Sequence, residues 1–180
     1  PLDAICTSHG VIWRDNPVQI INKYMEWADS YKENQITLVY DSMWENTRLM
    51  AESIIQGIRE ADKSVNVKMY NISRSDKNDV ITEIFKSKAV LFGSSTINQG
   101  ILSGMAGLLE EVRGLKFKNK KASSFGSYGW SGESVKMLNE LAVKAGFELV
   151  SDGIKALWTP DDKAKADCTE FGRKFALDVK

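Results

Sequence analysis

The chain has 180 residues, 43% of them hydrophobic and 27% charged, which is the size of one domain plus an extension and the composition of a soluble globular protein. Lysine and arginine balance aspartate and glutamate, 24 against 24, so no net field draws nucleic acid or an anionic membrane surface. No stretch approaches the roughly 18 apolar residues of a membrane span, and Pro1–Gly10 is not a signal peptide.

Residues 1–34 stand outside the pattern that follows them. Asp15-Asn16-Pro17 is a helix-start signal. Behind it Val18, Ile21 and Met25, with Ile20, Tyr24 and Trp27, make an amphipathic helix. This segment reads as a connector from a preceding domain, and an opening at Pro1 rather than Met reads as part of a longer protein. Cys6 and Cys168 lie far apart without CxxC spacing, as expected in a reducing cytoplasm.

From residue 35 the chain alternates strands and helices. Gln35–Tyr40 is a short β-branched run that reads as a buried strand. Leu49, Met50, Ile54, Ile55 and Ile58 then mark one face of a helix. A second strand fits Val65–Tyr70, a helix Asp79–Lys86, and a third strand Lys88–Gly93. Helical spacing returns over Ile101–Val112. The basic run Lys116, Lys118, Lys120 and Lys121 reads as a solvated loop, followed by a fourth strand, Lys121–Phe125. Val135–Ala145 is an amphipathic helix closed by Gly146. Phe147–Val150 begins a fifth strand, and Asp161–Val179 forms the last helix, with Pro160 near its first turn. Five strands alternating with helices predict a doubly wound α/β domain over 35–180. Its parallel sheet has the order 2-1-3-4-5, with ligands at the carboxyl ends of the strands.

Three polar loops fall on that edge. After the first strand, Ser42, Met43, Trp44, Glu45, Asn46 and Thr47 combine side-chain donors with a helix start, which suits a phosphate. The loop has neither the lysine and glycines of a P-loop nor the GxGxxG of a dinucleotide site. After the third strand, Ser94, Ser95, Thr96, Ile97 and Asn98 offer hydroxyls and an amide to the polar edge of a heterocycle. After the fourth, Ser127, Tyr128, Gly129, Trp130, Ser131 and Gly132 place large aromatics among glycines, a composition suited to stacking on a flat ring. Trp44 is a second candidate to cover a ring. Read separately, each loop is also compatible with a helix cap, a plain turn or a Trp roofing the core. Together they describe a pocket for a flat heteroaromatic bearing one phosphate, and FMN fits that description.

The loops resemble those of flavodoxin, whose T/S-x-T-x-x-T phosphate motif is matched at Ser42 and Thr47, while Met43, Trp44 and Glu45 replace its small residues. SMWENT, GSSTIN and FGSYGWSGE are similar to the flavodoxin-like domain of flavodiiron proteins, the A-type flavoproteins that include flavorubredoxin, and the resemblance runs from Ala4 to about Phe175. It implies a three-layer flavodoxin-like sandwich that binds FMN. Ile5–Arg14 resembles the end of that family's metallo-β-lactamase-like domain, so residues 1–34 would be that end and a connector helix. His9, the only histidine, would be the last ligand of a non-haem diiron site whose other ligands lie outside this chain, since one imidazole cannot hold two irons. The resemblance further implies electrons arriving from a rubredoxin, relay by FMN, and reduction of dioxygen to water or nitric oxide to nitrous oxide. A head-to-tail homodimer would set the flavin of one subunit beside the irons of the other. Alternative readings are a free-standing flavodoxin-like carrier and, less compatible with Gly93-Ser94-Ser95 at the third strand's end, a receiver-type signalling module.

Overall fold

The computed structural model describes residues 2–180, and these form two compact units, residues 2–31 and Lys32–Lys180. In the smaller unit an antiparallel bridge joins Ile5 and Trp13, each backbone N–H donating to the other's carbonyl at 3.0 Å. His9 lies midway along the loop this bridge closes and is exposed. Helix α1 (Val18–Ala28) follows with Pro17 at its N-cap, where a missing N–H costs nothing. Tyr24 and Trp27 meet edge to face on its surface, with centroids 5.6 Å apart.

The larger unit runs β1 (Glu33–Asp41), α2 (Asn46–Ala61), β2 (Asn66–Asn71), a 3-10 turn, α3 (Lys77–Lys86), β3 (Ser87–Ser94), a small hairpin of β4 (Thr96–Ile97) and β5 (Gly100–Ile101), α4 (Ser103–Leu115), β6 (Lys121–Tyr128), α5 (Ser134–Lys144), β7 (Glu148–Leu149), β8 (Ile154–Leu157) and α6 (Asp162–Asp178). The parallel sheet has the order β2-β1-β3-β6, and β7 and β8 both pair with β6. This is the expected 2-1-3-4-5 arrangement with its fifth strand broken in two. Pleating sends Ile36, Leu38 and Tyr40 of β1 into a core with α2 and α6, and Val39 into a second core with α3, α4 and α5. Burial on both faces is why β1 and β3 read as continuous apolar runs.

The break over Val150–Gly153 was not expected. Ser123 Oγ meets Ser151 Oγ at 2.7 Å and Asn139 Nδ2 donates to the Asp152 carbonyl at 2.9 Å. Side chains thereby take over where the backbone ladder stops, and pairing resumes at Phe125 with Ile154. The second loop also differs, because Thr96 to Ile101 folds into a hairpin rather than an irregular turn.

Lys120 departs from the expected solvated loop. Its side chain is buried, and its Nζ donates to the carbonyls of Phe85 at 2.6 Å and Ser87 at 2.8 Å, with the rings of Phe85 and Phe117 alongside. Burial pushes its pKa down to about 8, with a smaller like-charge push from Lys32.

Helix α2, which carries the first loop at its start, is seated on α6 by bare backbone. A Cβ added at Gly57 would lie 1.8 Å from the Thr169 carbonyl oxygen, and one at Gly172 would lie 2.0 Å from that of Ile54. Alanine at Gly57 gains about 1 kcal/mol of helix propensity but forces the two backbones apart, an overpacking cost of about 3 kcal/mol. Urea unfolding of Gly57→Ala is therefore expected to show a net loss of about 2 kcal/mol. Lys120 generates a pH-dependent expectation. Between about 8 and the unfolded value of about 10.4 the folded chain has released this proton while the unfolded chain still holds it, so the Lys120 contribution makes stability rise with pH. Lys120→Met removes that rise. The wild-type-minus-variant difference in unfolding free energy should climb by up to about 1.4 kcal/mol per pH unit across the window and stay flat below it. The Cys168 thiol, which burial pushes up to about 12, acts in the opposite sense but is common to both chains.

Candidate functional site

Parallel registration brings three strand ends to one edge. Asp41 at the end of β1 pairs with Ser94 at the end of β3, and Gly93 pairs with Phe125 of β6. The loops that follow these strands are therefore neighbours, as the doubly wound topology requires at its switch point.

In the first loop the Asp41 carboxylate is engaged within the protein, accepting from Ser42 N at 3.0 Å and Ser73 Oγ at 2.8 Å. Ser42 Oγ is buried without a hydrogen-bond partner. Glu45 adopts a left-handed conformation, φ 63°, and its carboxylate pairs with Arg48 and, at 3.4 Å, with Arg74. Because α2 starts at Asn46 with no side-chain cap, its first-turn N–H groups lack the acceptor that such a helix start normally recruits.

Thr47 is fully buried, and its Oγ1 lies 2.9 Å from both Ser95 Oγ and Ser127 Oγ, which are themselves 3.3 Å apart. One hydroxyl from each loop closes a triangle. A hydroxyl carries a single proton, so cyclic donation around the triangle uses all three donors.

The second loop is the β4–β5 hairpin. Its turn residues Asn98 and Gln99 both have positive φ, 49° and 59°, the pair of values a type I′ turn demands. Ser94 Oγ donates to Ser95 O at 2.8 Å and accepts from Leu102 N at 3.0 Å, closing the hairpin's base. Thr96 Oγ1 donates to Ser134 Oγ at 2.9 Å, fixing the hairpin to the start of α5.

Between the loops lies a cavity of about 440 Å³, within the range of small-molecule sites. The first loop contributes Met43, Trp44 and Asn46. The hairpin contributes Ser95, Thr96, Asn98 and Gln99, and the third loop Ser127, Tyr128, Gly129, Trp130 and Ser131. Trp44 and Trp130 are 81% and 88% exposed, two large rings standing at the mouth. Of the residues expected at the site, Ser42, Glu45, Thr47, Ser94, Ile97 and Gly132 do not line this cavity. Ser42 has its hydroxyl buried, Thr47 backs the lining residues Ser95 and Ser127, Glu45 turns to its arginines, Ser94 braces the hairpin, Ile97 is half-buried in β4, and Gly132 lies close against the Tyr128 ring. Two lining residues were missed. Gln99 sits in the expected loop beside Asn98. Trp158 belongs to the far half of the broken strand, so a fifth strand read as starting at Phe147 gave no reason to bring it to this edge.

A larger depression of about 720 Å³ runs between α5 and the strand break, lined by Val135, Asn139, Val143 and Leu149 among others, and none of the three loops reaches it. Among the described residues no three His, Cys, Asp or Glu side chains cluster as a metal site, so the residues present do not by themselves fit a diiron centre. No helix among them is long and apolar enough to cross a membrane.

Comparison with known proteins places this geometry in a family. The family model described as flavodoxin matches residues 38–172. An anaerobic nitric oxide reductase flavorubredoxin of Aeromonas hydrophila is 52% identical over 176 residues, 98% of this chain and 35% of that protein. The rubredoxin oxygen:oxidoreductase of Desulfovibrio gigas superposes with a TM-score of 0.91 at 32% identity, covering 98% of this chain and 44% of that one. The flavodiiron protein of Giardia intestinalis gives 0.88 at 27% identity, covering 99% and 44%. The chain thus spans about a third of the length of the curated relatives it matches and corresponds to their flavodoxin-like part. With the sheet order, the three strand-end loops and a match over most of its length in agreement, the chain belongs to the flavodoxin family.

Proposed function

We propose that the cavity binds one FMN and that the chain relays electrons through it, as the flavodoxin-like part of a flavodiiron oxidoreductase. The observation that carries this reading is the buried, unpartnered Ser42 Oγ beside the uncapped start of α2, next to an aromatic-rimmed cavity. A buried hydroxyl without a partner is costly, and a helix start with free N–H groups favours an anion. Both are relieved by one phosphate, which Ser42 Oγ, the Asn46 amide and the first-turn N–H groups of α2 would hold without a lysine. Thr47 backs this cradle through its two hydroxyl partners. Trp44, Tyr128 and Trp130 supply apolar surface for a flat ring, and Thr96, Asn98 and Gln99 supply polar groups for its edge. FMN, when bound, supplies the redox chemistry, and the protein orients it and shapes its electrostatic surroundings.

The relatives' names, nitric oxide reductase flavorubredoxin and rubredoxin oxygen:oxidoreductase, extend the reading to the whole protein. Electrons would come from a rubredoxin-type donor in the cytoplasm and leave for a diiron centre that reduces nitric oxide or dioxygen. Residues 1–34 are then the end of a metallo-β-lactamase-like domain and its connector helix. His9, exposed on its loop, serves as one iron ligand once the remaining ligands are present. A head-to-tail homodimer sets each flavin beside the partner subunit's irons.

Two variants separate cradle from scaffold. Ser42→Ala removes an unpartnered hydroxyl, so stability of the FMN-free chain should be unchanged or slightly raised. FMN affinity should fall by about 1–3 kcal/mol, and riboflavin affinity should hold. Thr47→Val breaks the hydroxyl triangle, so it should cost about 1–2 kcal/mol of FMN-free stability as well as FMN affinity. Flavin fluorescence titration and urea unfolding read the two quantities. A chain that takes up no FMN overturns the proposal, and FMN affinity unchanged in Ser42→Ala overturns the phosphate assignment.

A further inference from the structure

The aromatic rim contains one residue that no flavin-loop pattern selects. Trp158 follows the last residue of β8, and its backbone N–H donates to Tyr128 O at 2.8 Å, carrying the β6–β8 ladder one step past the pairing of Tyr128 with Leu157. There it adopts φ 55°, a left-handed conformation that a bulky side chain rarely takes and that persists only when its surroundings impose it. Its ring lies flat against Gly129. Cη2, Cζ3 and Cζ2 would be 3.1, 3.3 and 3.5 Å from a Cβ placed on that glycine, so any side chain there would press the ring back by a few tenths of an ångström. The same ring meets Trp130 at 6.5 Å between centroids and 66° between planes, an edge contact. Among the described residues no hydrogen bond and no other ring contact holds the Trp130 side chain, which is 88% exposed. A few residues back along β8, Lys155 Nζ donates to Gly132 O at 3.4 Å and lies over the Tyr128 ring at 5.8 Å. The outer strand therefore grips the third loop at both ends.

We infer that Trp158 is a positioning residue that fixes Trp130 and the Gly129 backbone in place at the cavity mouth, and that through them it sets how the aromatic wall meets a flat ring. The last clause rests on the FMN reading, whereas the ordering of the loop does not. An exposed indole has many rotamers of comparable energy. Contact with a second ring, itself held by a sheet hydrogen bond, selects one of them. The strained backbone at Trp158 is what turns its side chain onto the loop rather than along the strand.

The test uses the whole 180-residue chain with three substitutions. Trp158→Asn keeps a residue that tolerates the left-handed conformation while removing the ring, Trp158→Phe keeps a ring, and Trp130→Ala removes the partner. In the FMN-free chain, amide hydrogen exchange at Gly129–Ser131 should speed up at least tenfold in Trp158→Asn and stay within threefold of wild type in Trp158→Phe, with thermal unfolding shifted little in either. Loop exchange unchanged in Trp158→Asn overturns the inference whether or not FMN binds. In the FMN-loaded chain, Trp158→Asn should weaken FMN three- to tenfold, the scale of an aromatic pair, and shift the flavin midpoint potential. In a Trp130→Ala background the same change should do neither. Independent, additive effects of the two tryptophans would overturn the positioning role even with FMN bound, whereas failure of the wild-type chain to bind FMN would sink the functional proposal and leave the exchange result to decide the role of Trp158.

Discussion

Thr47 Oγ1 contacts Ser95 Oγ and Ser127 Oγ, each at 2.9 Å, and the arrangement of the site depends on this buried junction. The three hydroxyls come from the start of α2, the residue after β3 and the end of β6, so no single βα unit can form the contact. It exists only because the register sets Asp41 beside Ser94 and Gly93 beside Phe125, while β6 runs on past the end of β3 to carry Ser127. Moving any strand by one residue would turn its side chains to the opposite face of the sheet and remove one corner of the triangle. The mutual pairing also keeps the buried hydroxyls satisfied, while that of Ser42, on the segment leading into α2, stays unsatisfied. That contrast separates hydroxyls that brace the site from one that the protein itself leaves unused.

Much of this was legible in the chain itself. Gln35–Tyr40 and Lys88–Gly93 are too short and too apolar to be anything but buried strands, and their alternation with amphipathic helices leaves few topologies. Once the topology is known, the loops at Ser42–Thr47, Ser94–Asn98 and Ser127–Gly132 must converge. What could not be read was how each side chain is used. Ser94 and Thr47 have the same chemistry as residues that hold ligands, and only the folded chain shows Ser94 bracing a hairpin and Thr47 tied to two serines. The hairpin escaped notice because Asn98-Gln99 lacks the glycine that usually marks a two-residue turn. Lys120 escaped for a related reason: its position in a lysine-rich run says nothing about the two carbonyls that receive it.

The electrostatics of the site follow from the same parts. An anion at the start of α2 would meet fixed dipoles rather than a mobile cation, because the nearby Arg48 and Arg74 are paired to Glu45 and Glu52. Helix α2 cannot shift to follow a ligand, because Gly57 and Gly172 bring its backbone against α6. The positive end of the helix is therefore anchored from behind, and orientation is built in before any ligand arrives, which is the usual way a protein lowers the cost of binding. The aromatic rim is less uniform: Trp44 stands largely in solvent, whereas Trp130, equally exposed, meets the ring of Trp158.

The gap between β7 and β8 has a consequence for how the aromatic loop is held. Each half of the fifth strand finds its own register on β6, Glu148 against Lys121 and Ile154 against Phe125; Val150 N–H still donates to Ala122 O, and Ser151 and Asp152 beyond it are held by side chains. The segment works as a joint between two separately seated pieces. Ile154–Leu157 pairs with β6 on its own, so the hold of Lys155 and Trp158 on the aromatic loop does not run through β7.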